Sequence, residues 1–331
     1  MKAVVYKEFG PPEVLQLQEV EKPTPKEDEV LIKVYATTVT TGDTNARGFT
    51  HVPPGFGPIP RLMFGITGPK IQIIGADLAG EIEAVGNNVS TFKEGDQVYG
   101  IDGSNLRAYA EYACRPAEGA LALKPDTMSF EEAAAVPFGG CTAMYFLREK
   151  GNIQSGQKVL INGASGGVGT YAVQLAKYFG AEVTGVCSTK NVELVESLGA
   201  DKVIDYTKED FTNNGQTYDL IFDMVGGKIS FSKVRNSLKE NGYFLAVAGG
   251  AREAIQMIWT SAIGDKKVIF GGGMASERKD YLDFLRELIE AGNLKAVVDR
   301  IYSLEEIVEA HRYVDEGGKR GNVAITVAQG D

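Results

Sequence analysis

Two periodicities divide the chain. Up to Lys124, apolar and polar positions alternate in short runs. EVLIKVYATTV, Glu29–Val39, alternates and is rich in Val, Ile and Thr; GEIEAVG, DQVYGI and AYAEYACRP are shorter runs set between Gly, Asn and Asp turns. A period of two with β-branched residues predicts strands. Pro and Gly gather in THVPPGFGPIPRLMFGITGPK, which breaks the pattern and predicts a long irregular loop. Loops of that length inside a compact domain tend to be functional.

Beyond Lys124 the pattern changes. SFEEAAAVPFGGCTAMYFLREKG opens with Ser129 ahead of Glu131 and Glu132, which marks a helix N-terminus. The apolar runs KVLING, AEVTGVC, KVIDY, YDLIFDMVG, YFLAVAGG and KKVIFGGG follow, separated by helical stretches that include VELVESLGA and FSKVRNSLKENG. Continuous apolar strands alternating with helices imply a parallel sheet covered on both faces. The chain closes with the helical RKDYLDFLRELIEAG and SLEEIVEAHRYVDEGG and the strand NVAITV. The expectation is an α/β protein in which residues 1–124 and 274–331 form one discontinuous domain and 125–273 a doubly wound domain. A length of 331 residues agrees with two domains, since a single core rarely grows past roughly 250–300 residues.

The first parallel strand runs into LINGASGGVGTYAVQLAKYFGA, Leu160–Ala181, where small residues replace bulk at one turn. Ala164, Gly166 and Gly169 fit a dinucleotide fingerprint, with alanine at its first position. Small residues let the backbone bend sharply, approach a pyrophosphate and pack the helix on the strand. The free N–H groups and the positive end of the helix dipole then meet the phosphates. Ser165, Gly166, Gly167 and Val168 are the candidate cradle. The second strand ends at GVCSTKN. NAD-binding chains usually place Asp or Glu about 20 residues past the glycines, on the ribose 2′-hydroxyl. Ser188, Thr189 and Lys190 stand there instead. No carboxylate repels a 2′-phosphate and Lys190 attracts one, so NADP(H) is expected. The alternative, a solvated polar turn with Lys190 as a surface lysine, stays open.

Composition narrows the classes. The formal net charge of -10 and pI near 5.0 argue against nucleic acid as partner. No apolar run reaches the ~18 residues of a membrane span, and MKAVVYKEFGPPEV lacks a signal-peptide core. Cys114, Cys141 and Cys187 are few, odd in number and far apart, which argues against a disulfide framework and for a reducing, cytoplasmic setting.

Several motifs in fixed order resemble those of the zinc-independent medium-chain dehydrogenase/reductase superfamily, in its quinone oxidoreductase-like branch: MKAVVY, GADLAGEIEAVG from Gly75, FKEGDQVYG, AAVPFGGCTA from Ala134, NGASGGVG, SLGADKVIDY from Ser197 and GKRGNVAITV from Gly318. The resemblance spans nearly the whole chain. It implies a GroES-like β-barrel domain and a Rossmann domain with a cleft between them. It places Thr142 against the nicotinamide and its ribose, and Tyr206 beside the 2′-phosphate with Ser188 and Lys190. Val225 in MVGG, Ala248 and Gly249 in AGG, and Phe270, Gly271 and Gly272 in FGGG would line the cofactor at strand ends, with Asn322 reaching it from near the C-terminus. Lys319 and Arg320 read as exposed basic residues. The resemblance also implies a homodimer, or a tetramer built from it, joined edge to edge through KKVIFGGG.

Zinc-dependent relatives hold their metal with a cysteine and a His-Glu pair at positions that here carry Thr40, Thr41 and Ala76. His51 and His311 are far from these, so no metal is expected. Reduction of an activated C=C needs less help than alcohol oxidation, because charge spreading to a carbonyl oxygen can be held by hydrogen-bond donors. The implied substrates are small hydrophobic quinones or α,β-unsaturated carbonyls; Phe49, Phe56, Leu62, Met63 and Phe64 in the long loop would make an apolar mouth for them, or else pack the loop or a subunit contact. The family motif V-N-x-x-D is altered: Thr40 stands for its Asn, Asp43 is kept, and Asn45 falls near a usual Lys or Tyr. Thr40 and Asn45 can donate hydrogen bonds, yet neither is a good proton donor. Asp43 can instead anchor its turn or bond Arg47. A zinc-free carbonyl or alcohol dehydrogenase and a low-turnover NADPH-binding protein are the competing readings.

Overall fold

The computed structural model describes residues 1–50, 65, 68–227, 229–271 and 273–328. His51, Phe56, Leu62, Met63, Phe64 and Gly272 lie outside the described residues. The chain divides into two compact units, one of residues 1–138, 277–292 and 296–331, the other of 139–276 and 293–295. The first boundary falls later than the change of sequence pattern at Lys124. The helix Phe130–Ala134 belongs with the first unit, to which Thr326 Oγ1 ties it through Glu131 Oε1 at 3.0 Å. The stretch 293–295 belongs with the second, because Gln174 bonds the Lys295 backbone through both its amide nitrogen and its amide oxygen.

The second unit is built on six parallel strands in the order Lys202–Asp205, Glu182–Cys187, Lys158–Asn162, Tyr218–Asp223, Leu238–Ala246 and Lys267–Phe270. Numbered along the chain from Lys158, that order is 3-2-1-4-5-6, the doubly wound arrangement whose ligand crevice lies where strand order reverses. The strands are buried because helices cover both faces. Val159, Leu160, Ile161, Leu220, Ile221 and Phe222 are fully buried.

Two stretches depart from the sequence reading. FSKVRNSLKENG is helical only over Phe231–Val234 and a 3-10 turn at Arg235–Ser237; Leu238 already starts the next strand. The pairing then shifts register between Tyr218 and Leu220, with Asn241 at φ 60. The helix expected from Ser129 is broken as well, into Phe130–Ala134, Val136–Met144 and a π-helical turn at Tyr145–Lys150. Pro137 has no N–H to continue a ladder.

The edge strand Lys267–Phe270 is not bare. Its Val268 and Phe270 N–H groups point away from the sheet, since Gly271 N points inward to Ala246 O. Val268 N donates to Thr260 Oγ1 at 3.0 Å and Phe270 N to Met257 Sδ at 3.5 Å. Side chains of the helix Ala251–Ala262 thus meet these two N–H groups of the strand that the sequence reading offered to a second copy.

The first unit holds a seven-stranded sheet in which Glu29–Val39 pairs antiparallel with Asp77–Val85, Tyr112–Pro116 and Asn322–Thr326. The last partner is the C-terminal strand, so both ends of the chain build this unit. No helix of the described residues is long and apolar enough to cross a membrane.

Candidate functional site

The glycine turn separates two reasons for glycine. A Cβ on Gly169 would lie 2.1 Å from Gly163 O and 2.8 Å from the Ala164 backbone, so packing of the helix start on the strand requires that glycine. Gly166 is different: a Cβ there would meet only Gly163 O, at 3.4 Å, an ordinary contact. Nothing within the chain demands glycine at 166, and a close ligand would. Gly163 takes the bend at φ 86. The helix Gly169–Tyr178 has no side-chain cap at its N-terminus, which suits an anionic ligand there. Thr142 is buried on Val136–Met144, one turn after Gly139, whose missing Cβ would stand 2.5 Å from Gly167 O. Thr142 therefore shares the helix face that rests on the turn.

The loop after the second strand closes on the same turn. Asn191 is buried and its amide donates to Ser165 Oγ at 2.9 Å and to Ser188 Oγ at 3.4 Å. Ser165 and Ser188 are thus brought together by a residue that the sequence reading passed over. Lys190 is exposed and Tyr206 largely so, with Tyr206 N on Cys187 O at 3.0 Å. The structure also brings Asp205 to this loop. Its carboxylate accepts from Thr189 Oγ1 at 2.5 Å and Thr207 Oγ1 at 2.7 Å and pairs with Lys208 at 3.1 Å. The two threonine hydroxyls, followed by the Thr207 N–H and Lys208, hold its pKa below the ordinary range. Register alone could have found it, because Asp205 pairs with Cys187 in the parallel ladder.

At the crevice end of the sheet, Asn162 Nδ2 donates to Asp223 Oδ1 at 2.7 Å and Val225 N to the same oxygen at 3.2 Å. The pair ties the two strand ends flanking the turn; burial raises the Asp223 pKa. Gly226, at φ 67, would put a Cβ 2.8 Å from Ala248 Cβ, and Gly249 one 3.0 Å from the Phe270 ring. Val225, Ala248, Gly249 and Phe270 therefore line adjacent strand ends, and Gly271 continues the turn at φ 75.

In the first unit, Thr40 and Asp43 form a capping box on the helix Thr41–Gly48. Asp43 Oδ2 accepts from Thr40 N at 2.8 Å and Thr40 Oγ1 at 2.6 Å, while Asp43 N donates back to Thr40 Oγ1 at 3.2 Å. The Thr40 hydroxyl proton is committed to Asp43. Asp43 is buried, which pushes its pKa up to about 6 against the Thr40 hydrogen bonds. Asn45 lies two residues on, with Oδ1 accepting from Thr50 Oγ1 at 2.8 Å. Asp43 does not pair with Arg47. That guanidinium instead reaches Gly10 O at 3.0 Å, His311 Nδ1 at 2.9 Å and Asp315 at 2.6 Å. His311 Nε2 lies 3.1 Å from the Tyr109 hydroxyl. Asp77 is buried too, accepting from Thr38 Oγ1 at 2.8 Å and Phe138 N at 3.1 Å; burial first, and the nearby Asp43 charge, raise its pKa well above the ordinary value.

Among the described residues no three His, Cys, Asp or Glu side chains cluster as metal ligands. Phe49 turns to φ 52 and packs on Phe9, with ring centroids 4.8 Å apart. Asn322 sends its Nδ2 to Val297 O at 3.3 Å. Lys319 is less exposed than the sequence suggested: its ammonium sits on Gly321 O at 2.6 Å, and burial lowers its pKa to about 8.

The Alcohol dehydrogenase GroES-like domain model matches residues 26–189 and the Zinc-binding dehydrogenase model residues 198–325. A 2-methylene-furan-3-one reductase of Solanum lycopersicum is 35% identical over 98% of this chain and 79% of its own. A human quinone oxidoreductase is 32% identical over 98% of this chain and 97% of its own. The Escherichia coli quinone oxidoreductase complexed with NADPH superposes with a TM-score of 0.83 at 26% identity, covering 99% of this chain and 100% of that one. The chain is thus an oxidoreductase of the medium-chain dehydrogenase/reductase superfamily and belongs to its quinone oxidoreductase-like branch.

Proposed function

We propose that the protein is an NADPH-dependent reductase of quinones or α,β-unsaturated carbonyls that works without zinc. The observation that carries the reading is Gly166, a glycine with no internal steric reason at an uncapped helix start. The backbone of Ser165–Val168 would hold the pyrophosphate, and Ser188, Lys190 and Tyr206 the 2′-phosphate. Thr142, Val225, Ala248, Gly249, Phe270, Gly271, Gly272 and Asn322 are the proposed remaining cofactor contacts. NADPH supplies a hydride when bound. The chain's own residues bind and orient, and a developing negative charge on the substrate oxygen calls for hydrogen-bond donors rather than a metal. Asn45 is the proposed donor. Thr40 and Asp43 position its helix, since the Thr40 proton is already engaged.

The relatives support the class: one is named for quinones and another as an NADPH-dependent alkenal/one oxidoreductase. Asp205 favours NADH, as a carboxylate beside the proposed ribose site, but its oxygens are filled by Thr189, Thr207 and Lys208.

Oxidation of NADPH and NADH by chelator-treated protein, with 9,10-phenanthrenequinone and an alkyl vinyl ketone as acceptors, tests the proposal. Turnover with NADPH that survives the chelator is expected. Lys190→Ala is expected to raise KM for NADPH roughly ten-fold or more, the scale of one lost ion pair to phosphate, with little change for NADH. Equal effects on both cofactors, or activity that requires added zinc, would overturn the assignment. Tight NADPH binding without turnover would favour the low-turnover binding protein.

A further inference from the structure

Asp205 ends the strand Lys202–Asp205 and pairs with Cys187, the last residue of Glu182–Cys187. Ser188, Thr189 and Lys190 continue from one strand, and Tyr206, Thr207 and Lys208 from the other. The Asp205 carboxylate joins the two continuations. Its Oδ2 accepts from Thr189 Oγ1 at 2.5 Å and meets Lys208 Nζ at 3.1 Å. Its Oδ1 accepts from Thr207 Oγ1 at 2.7 Å and from Thr207 N at 3.0 Å. Tyr206 N on Cys187 O, at 3.0 Å, adds a main-chain tie. Thr189 lies between Ser188 and Lys190, and Tyr206 between Asp205 and Thr207, so this one carboxylate sets the spacing of the Ser188–Lys190 turn from Tyr206. On the other side of the turn, Asn191 Nδ2 holds Ser188 Oγ and Ser165 Oγ.

A carboxylate beside the ribose ordinarily opposes a 2′-phosphate, because it accepts from the ribose hydroxyls and repels the added charge. Both effects are blunted here. An ionised carboxylate offers about four lone-pair positions, and the two threonine hydroxyls, the Thr207 N–H and the Lys208 ammonium occupy them. That ammonium also offsets the charge. Given the NADPH-dependent function proposed for the chain, we infer that Asp205 is a positioning residue for the 2′-phosphate: it holds the Ser188–Lys190 turn and Tyr206 at the separation the phosphate requires, and so favours the phosphorylated cofactor. Lys190 is exposed and Tyr206 largely so. Without the tie, both loops would have to be ordered as the phosphate binds, and that ordering is lost from affinity.

The sign of one substitution separates this role from simple repulsion. Asp205→Asn removes a negative charge, which by itself would strengthen binding of a 2′-phosphate. As a positioning residue, its loss weakens that binding. The full chain is titrated calorimetrically with adenosine 2′,5′-bisphosphate and with adenosine 5′-monophosphate, which differ only in the 2′-phosphate. The parent is expected to prefer the bisphosphate. Asp205→Asn should lower that preference about ten-fold, the scale of one hydrogen bond to a charged group, with affinity for the monophosphate kept. Thr189→Val should do the same with no change of charge, and Thr189→Ser, which keeps the hydroxyl, should retain the preference. These two variants carry the test if Asp205→Asn does not fold. A parent that binds both ligands alike overturns the NADPH reading and this role with it. A parent that prefers the bisphosphate, with a preference kept or enlarged in Asp205→Asn and kept in Thr189→Val, overturns the positioning role alone. Equal losses for the two ligands also overturn it, and leave Asp205 a general support of its loops.

Discussion

His311 shows what a single buried residue does to the acid behaviour of the molecule. It is held between an arginine that can only donate and a tyrosine hydroxyl, so Nδ1 accepts from Arg47 and the ring is neutral. Burial, and then the Arg47 charge, lower its pKa from 6.5 to about 3. Below pH 6.5 the unfolded chain binds a proton that the folded chain refuses until about pH 3. Stability from this residue is complete above 6.5 and declines as pH falls through that window. Asp43 acts in the other direction. Its pKa is raised to about 6, so the folded chain binds the proton first and gains stability as pH falls from 6 toward 3.8. The two oppose each other over most of the same range. His311→Gln should remove one side of the balance, so that its urea midpoint, compared with the parent's, improves steadily from about pH 7.5 to about 4.5. Asp43→Asn should show the reverse trend. Parallel profiles for parent and His311→Gln would contradict this account. None of it was legible in the sequence beyond the statement that His311 lies on a helix. Arg47 and Tyr109 are 264 and 202 residues away, and only the fold brings them to the ring.

At the scale of elements, much was legible and the exceptions have causes. Glu29–Val39 and Lys267–Phe270 read correctly because alternation and β-branched runs survive burial on one face or two. FSKVRNSLKENG misled because its helical propensity yields to pairing of Leu238–Ala246 with Tyr218–Asp223. The capping box at Thr40 is the turn-anchoring alternative that the sequence reading kept open for Asp43, and the T-x-x-D spacing of a helix start is its signal. Asn191 and Asn162 gave no signal at all, since a single amide carries no periodicity. The glycine turn was read as one motif, yet it contains two kinds of glycine, and a pair of substitutions separates them. Gly169→Ala forces a Cβ into backbone atoms that cannot move aside, and about 1–3 kcal/mol of stability should be lost. Its melting temperature should fall by several degrees, with or without cofactor. Gly166→Ala finds room within the chain, so its melting temperature without cofactor should match the parent's. Its NADPH dissociation constant, measured by fluorescence titration, should rise at least ten-fold. Loss of stability in Gly166→Ala, with affinity kept, would remove the steric argument for a ligand at that turn.

At the scale of the molecule, connectivity decides how cofactor binding is felt. The residues proposed to hold NADPH lie in the second unit, apart from Asn322, while Thr40, Asp43 and Asn45 lie in the first. The chain passes between the units at 138–139, 276–277, 292–293 and 295–296. The short return at 293–295 is clamped, because Gln174 both donates to Lys295 O at 3.1 Å and accepts from Lys295 N at 2.9 Å. Opening the second unit must therefore release a segment held at both ends by the first, between the helix Lys279–Glu290 and the strand Val298–Ser303. A ligand bound only to the native state adds about 2.7 kcal/mol at a hundred times its dissociation constant. With interleaved connectivity, that increment should reach the slowest-exchanging amides of both units alike, Leu160 and Ile221 in one and Ile32 and Val34 in the other. Hydrogen exchange with and without saturating NADPH measures it. If the gain stayed in Leu160 and Ile221 while Ile32 and Val34 exchanged as before, the units would open independently, and the clamp at Gln174 would be too weak to couple them.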